Sequence, residues 1–228
     1  MTGEANRGPR WMLPLIIVAS LAAIALGTLR YVFVPYKNPS GSMWPTVEVG
    51  DYTTSNRTAS EPQRGHVVVF RYPENRDQRF SKRVVGLEGD VVEFVATELR
   101  INGWSVPRCP IGHGKHKTEE HTSEGELFVE FLDDATYLVF EDRAGGVSSG
   151  KWQVKRGEFF VVGDNRNNSH DSRSWFGGHG GGVPNGDAEG RVRLPVVPKL
   201  PADLENLRPA FDACLAKRPA KTSPPPAP

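Results

Sequence analysis

The sequence predicts a mainly β protein: an antiparallel β-sheet domain with a smaller β-rich insertion, preceded by one N-terminal transmembrane helix. Three observations predict it. A long uncharged apolar run lies near the N-terminus, short β-branched segments follow it, and 24 glycines with 19 prolines punctuate them. No βαβ alternation appears, which argues against a doubly wound parallel sheet. A chain of 228 residues is long enough for one ordinary domain or two small ones.

Residues 1–10, "MTGEANRGPR", form a short arm carrying Arg7, Arg10 and the amino terminus against one Glu. That balance favours an N-terminus on the cytoplasmic side. From Trp11 to Leu29 there are 19 residues without a charge. As a helix they reach about 28 Å, close to the hydrocarbon thickness of a bilayer, and a transmembrane anchor is expected over 11–34. A cleaved signal peptide is the competing reading, because "SLAAIA" offers small residues. The run is longer than the usual 7–15 residue core of such a peptide, which favours the uncleaved anchor.

Residues 36–193 read as the β-rich domain. "HVVVFRY" (66–72), "DVVEFVA" (90–96), "ATYLVFE" (135–141) and "GEFFVVG" (157–163) are its clearest strands. Asn102-Gly103 between apolar residues predicts a tight hairpin. Residues 104–155 or so are expected to form the inserted β subdomain. Beyond it, 194–228 should hold one helix, since Leu204, Leu207, Phe211, Cys214 and Leu215 recur at helical spacing, with Pro209 bending or dividing it. The final "KTSPPPAP" is expected to be disordered.

Composition excludes some functions. The 28 basic and 27 acidic residues nearly cancel, so nothing points to nucleic acid as a partner. Cys109 and Cys214 are too few for a disulfide scaffold and lack metal-ligand spacing. In an oxidising compartment these two could pair with each other.

Several motifs are false leads. "GGVSSGKW" (145–152) contains G-x-S-x-G, S-x-x-K and a truncated P-loop, but strand-like segments flank it where those motifs need a helix, so a β-connection fits best. His113, His116 and His121 in "GHGKHKTEEH" read as a solvated loop, with no clear fourth ligand for a metal. "GGHGGG" (177–182) has no Lys-Ser/Thr to hold a phosphate.

Three stretches carry chemistry. "NPSGSMWPT" (38–46) sets Ser40 and Ser42 either side of Gly41, just beyond the apolar run. In "RFSKRVVGL" (79–87), strand alternation puts Phe80, Lys82 and Val84 on one face. Burial there would lower the lysine pKa until the free amine can accept a proton, although a lysine snorkelling at a sheet edge is the simpler reading of this segment alone. "GDNRNNSHDSR" (163–173) adds a hydroxyl, Ser169, and an Asp171/Arg173 pair able to brace it. Together they have the parts of a Ser–Lys hydrolase: nucleophile, unprotonated lysine and supporting hydroxyl.

"PSGSMWPT", "RGHVVVFRYP", "KRVVGLEGD" and "GDNRNNSHDSR-W", in this order behind an apolar anchor, resemble bacterial type I signal peptidases. The resemblance covers most of residues 39–192. It implies Ser42 as nucleophile, Lys82 as general base, and the Ser40 hydroxyl with the Ser42 backbone N–H as the oxyanion hole. By the same resemblance Ser169 orients the lysine, Asp171 and Arg173 form a structural pair, and Arg83 and Asp164 brace the region. Gly41 would let the backbone come close to substrate. A pocket for small residues at the first and third positions before the cut is implied, with Met43, Val47 and Phe80 expected to line it.

The implied partners are signal peptides of exported pre-proteins, membrane lipid and, indirectly, the translocation machinery; no cofactor or metal is implied. The implied place is a bacterial plasma membrane, with the β domain on the outer side. Three residues depart from the family pattern: Glu88 for a proline, His66 for an aspartate in "RGD", and Asn167 for an aspartate. Glu88 brings a charge near the lysine strand. The alternatives are a peptidase dedicated to one pilus or conjugation subunit, a self-cleaving repressor, and a membrane-anchored β-domain that binds without cleaving. The repressor is disfavoured by the apolar run and by the lack of a DNA-binding helix pair.

Overall fold

The computed structural model describes residues 11–117, 122–142 and 149–228. Helix α1 spans Met12–Val32. None of its 21 residues is buried, and they reach about 32 Å at 1.5 Å per residue, enough to cross a bilayer. The helix stops earlier than expected: Phe33 and Val34 belong to the first strand, β1 (Phe33–Lys37). The β-branched and aromatic residues there gain a ladder partner, β2 (Tyr52–Asn56), which pairs Phe33 with Asn56.

The chain continues through β3 (Val67–Tyr72), β4 (Asn75–Gly86), β5 (Val91–Val95), β6 (Glu98–Ile101), β7 (Trp104–Ser105), β8 (Arg108–Lys117), β9 (Thr122–Leu132) and β10 (Ala135–Asp142). Then come β11 (Gly150–Gln153), β12 (Glu158–Val162), β13 (Val183–Pro184) and β14 (Ala188–Val192). Among the described residues they form three antiparallel sheets, ordered β1-β2-β14-β3-β4-β12-β13, β11-β5-β6-β7 and β10-β9-β8. The β-rich excursion between β4 and β12 begins before residue 104, because β5 and β6 share a sheet with β7 and β11.

The Asn102-Gly103 turn forms as expected. Both residues have positive φ, 54° and 77°, the backbone of a type I′ hairpin between β6 and β7. The "GHGKHK" segment is not the solvated loop the sequence predicts. It lies in β8 and pairs with β9 from Arg108 to Lys117. Three residues apart on a strand, His113 and His116 face opposite ways, one exposed and one buried, so they do not converge on a metal. His121 and residues 145–148 of the glycine-rich false lead lie outside the described residues. Its end, from Gly150 to Trp152, belongs to strand β11, which pairs with β5.

After β14, a 3-10 turn (Ala202–Leu207) leads into helix α2 (Arg208–Ala216). Pro209 falls in the first turn of α2, where its missing N–H costs nothing, so it starts the α-helix instead of kinking it. Leu200, Leu204, Phe211 and Cys214 pack with Ile111, Leu127, Val129 and Phe131 on the β8–β10 sheet. The tail is not disordered as predicted. Thr222 O accepts from Asp133 N–H at 2.8 Å and Pro225 O accepts from Asn102 Nδ2 at 2.8 Å, laying the prolines across the β domain.

Cys109 and Cys214 form a disulfide, with Cα atoms 5.8 Å apart, that pins α2 to β8. It closes a loop of 105 residues, a length for which the chain-entropy model gives about 4–5 kcal/mol. Cys214→Ser should therefore lower the thermal midpoint by several degrees relative to the oxidised protein. Dithiothreitol should produce the same shift in the native chain and none in the variant.

Candidate active site

The site is built on the loop between β1 and β2. The buried Asn38 side chain fixes it, with Nδ2 donating to Ser40 O and Glu48 O, both at 2.9 Å. Ser40 is extended, and Gly41–Met43 then close one 3-10 turn. The turn's own hydrogen bond runs from Trp44 N–H to Gly41 O at 3.1 Å, so the N–H of Ser42 precedes its first donor. From across the fold, Asn165 donates its N–H to Ser42 O and its Nδ2 to Gly41 O, each at 3.1 Å. Asn38 and Asn165 both escaped the sequence reading.

Gly41 also has a packing role that the sequence does not reveal. A Cβ there would lie 2.6 Å from His116 Cε1, so the glycine admits the imidazole behind the loop. His116 stacks on Trp44 with ring centroids 4.6 Å apart, and Trp44 meets Phe140 edge-on at 4.7 Å. The loop thus rests on the β8–β10 sheet. Gly163 is equally constrained, since a Cβ would fall 2.4 Å from Ser42 O.

Lys82 is buried, only 4% exposed, and does not snorkel to an edge. On β4 it pairs with Val68, and Phe80 and Val84 on the same face join the Phe70/Phe159 cluster. Its Nζ hydrogen-bonds Ser42 Oγ. Burial lowers the Lys82 pKa to about 8, although the Asp171 and Asp164 carboxylates pull it back up. The Ser40 hydroxyl lies 3.1 Å from Ser42 Oγ. The sequence-predicted serine, lysine and second serine therefore meet at one point.

Two buried ion pairs surround it. Arg83 grips Asp164 with two hydrogen bonds, 2.7 and 2.5 Å, and lies 3.8 Å from the centroid of the Tyr137 ring. Arg173 grips Asp171 at 2.8 and 2.9 Å, and Asp171 also accepts from Gly163 N–H at 2.9 Å. Burial alone would raise the Asp171 pKa, but the Arg173 charge and hydrogen bonds hold it below the usual carboxylate value. Ser169 is beside Gly163 and Asp171. Its buried hydroxyl makes no full hydrogen bond among the described residues and only weakly assists Asp171.

A cleft of about 390 Å³ opens over Ser40, Ser42 and Lys82, walled by Val69, Phe80, Ser81, Asn168 and His170. Phe80 lines it. Met43 and Val47 do not: they are buried beneath the loop with Val67, Val69 and Val192, as parts of the core. Glu88 turns away from the lysine strand, accepting from Gly157 N–H at 2.9 Å.

The model of the family described as "Signal peptidase, peptidase S26" matches residues 10–197. A signal peptidase I of Pseudomonas fluorescens is 37% identical over 171 residues, 67% of this chain and 58% of that protein. One from Pseudomonas aeruginosa is 36% identical over 172 residues, with the same coverage. The chain thus spans less than two thirds of the length of these two relatives. One from Aquifex aeolicus is 29% identical over 91% of this chain and 97% of its own length. With the family match running from the apolar helix α1 through every strand of the large sheet and across the Ser42–Lys82 contact, this chain belongs to the signal peptidase family, peptidase S26.

Proposed function

We propose that this protein is a membrane-bound serine endopeptidase that removes signal peptides from exported pre-proteins by a Ser42–Lys82 dyad. The observation that carries the reading is the Lys82–Ser42 hydrogen bond in a site dry enough to bring the lysine pKa down to about 8. A neutral Lys82 takes the proton of the Ser42 hydroxyl, and Oγ attacks the scissile carbonyl carbon. The Ser40 O–H and the Ser42 N–H donate to the oxyanion that forms. Lys82 returns the proton to the departing amine, then activates the water that hydrolyses the acyl-enzyme. The Arg83–Asp164 and Arg173–Asp171 pairs keep the surrounding walls in register.

In this reading α1 crosses the plasma membrane with the N-terminus in the cytoplasm and the β domain outside, where a signal peptide emerges after translocation. The narrow cleft beside Ser42 takes small residues at the first and third positions before the cut. The test is cleavage of purified pre-proteins by the full chain in detergent, with the new N-terminus read by mass spectrometry. Release after a small residue is expected; an uncut panel would overturn the proposal. Ser40→Ala should fold normally yet lower kcat by about 10²–10³, the loss for one oxyanion donor.

A further inference from the structure

A second cavity, about 520 Å³, shares no lining residue with the Ser42 cleft. It begins where the anchor helix ends: Phe33, the first residue after α1, is part of its wall. Four cations line it: Arg83, which Asp164 already holds, and three others, Arg191, Arg193 and Lys199. Arg191 and Arg193 are two apart at the end of β14 and so project to the same face, while Val192 between them turns into the core. Lys199 follows the "LPVVP" turn and joins them.

None of the three is neutralised by an acid among the described residues. Arg191 contacts Gln63 and His66, at 3.4 and 3.2 Å, and Arg193 lies 5.1 Å from the centroid of the Phe33 ring. The one carboxylate in the wall, Asp134, is 3.5 Å from His66. Beside the cations the turn exposes Val196, 89%, and Val197, 57%, both unusual for a soluble surface. Unpaired guanidinium groups want a phosphate, and exposed valines want hydrocarbon. At the end of a helix long enough to cross a bilayer, one ligand supplies both.

We propose that this pocket binds the phosphate headgroup of an anionic phospholipid, held by Arg191, Arg193 and Lys199 while Val196 and Val197 enter the acyl boundary. The bound lipid would fix the β domain at a set height over the membrane. The proposal rests on α1 as the anchor and not on the Ser42–Lys82 chemistry.

Thermal unfolding of the full chain in neutral detergent tests it without requiring turnover or a bilayer. Short-chain phosphatidylglycerol at roughly ten times its Kd should raise Tm by about 3–6 °C. Phosphatidylcholine of the same chain length should raise it much less. Arg191→Gln/Arg193→Gln/Lys199→Gln should abolish the difference between the two lipids while cutting a soluble peptide as the parent does. Each single variant should lose part of the difference, which serves if the triple variant is poorly folded. An equal rise with inorganic phosphate would overturn the assignment in favour of a soluble anion. Equal shifts with the two lipids, or a shift unchanged in the variants, would overturn the site itself.

Discussion

Replacing Ser42 by alanine should reduce precursor cleavage by about 10⁶-fold, the scale seen when the nucleophile of a serine hydrolase is removed. Within the cleft, the Ser40 hydroxyl stands 3.1 Å from Ser42 Oγ, while the amine of Lys82 hydrogen-bonds Ser42. Lys82→Arg should be as inactive, although it keeps the positive charge and most of the side-chain volume. A guanidinium stays protonated throughout the working pH range and cannot take the serine proton. Folding must be checked beside both, by circular dichroism. An arginine variant retaining more than a few per cent of the parent rate would remove Lys82 from the role of base.

The second large effect concerns stability. Arg166 and Glu130 form a fully buried ion pair, with hydrogen bonds of 3.0 and 2.6 Å, and Arg166 O accepts from Arg173 Nη2 at 2.6 Å. Burial opposes the charge on Arg166, yet the Glu130 carboxylate holds its pKa above the usual arginine value. Glu130→Gln leaves that cation uncompensated and should cost about 3–5 kcal/mol, a fall in Tm of roughly 6–20 °C. Glu130→Met with Arg166→Leu should recover much of the loss, since neither charge then remains to be solvated. Calorimetry of the two variants decides it; a loss under about 1 kcal/mol for Glu130→Gln would show the pair to be far less dry than it looks.

What the sequence reveals and hides follows from the same physics. Lys82 is legible because alternation in "RFSKRVVG" sets it between Phe80 and Val84, and the Asn102-Gly103 hairpin because only a few residues tolerate positive φ. Asn38 and Asn165 are hidden, because an asparagine in a short polar stretch with proline, glycine or aspartate nearby reads as a turn former whether or not it holds a distant carbonyl. The strand under the loop had a signal: Gly114 and His116 are buried while Lys115 and Lys117 are exposed, a period of two. Two glycines and two histidines masked it, since neither residue type weighs toward a strand. Glu130 and Arg166 are 36 residues apart, and a charge destined for the core looks in sequence like any solvated one. The Pro-rich tail misled for the opposite reason, because composition reports weak self-association and not the surface available to receive it.

The most direct test of the Ser42–Lys82 account is the pH dependence of kcat/KM for a soluble peptide, which reports the free enzyme's ionisations. Lys82 acts only when neutral, and burial lowers its pKa from 10.5 to about 8. Activity should therefore be low at neutral pH, rise tenfold per unit on the acid side, and level off above a single apparent pKa of about 8. His170→Gln, at the wall of the cleft, should leave that limb where it is. A limb that disappears with His170 would contradict the dyad and assign the base to histidine.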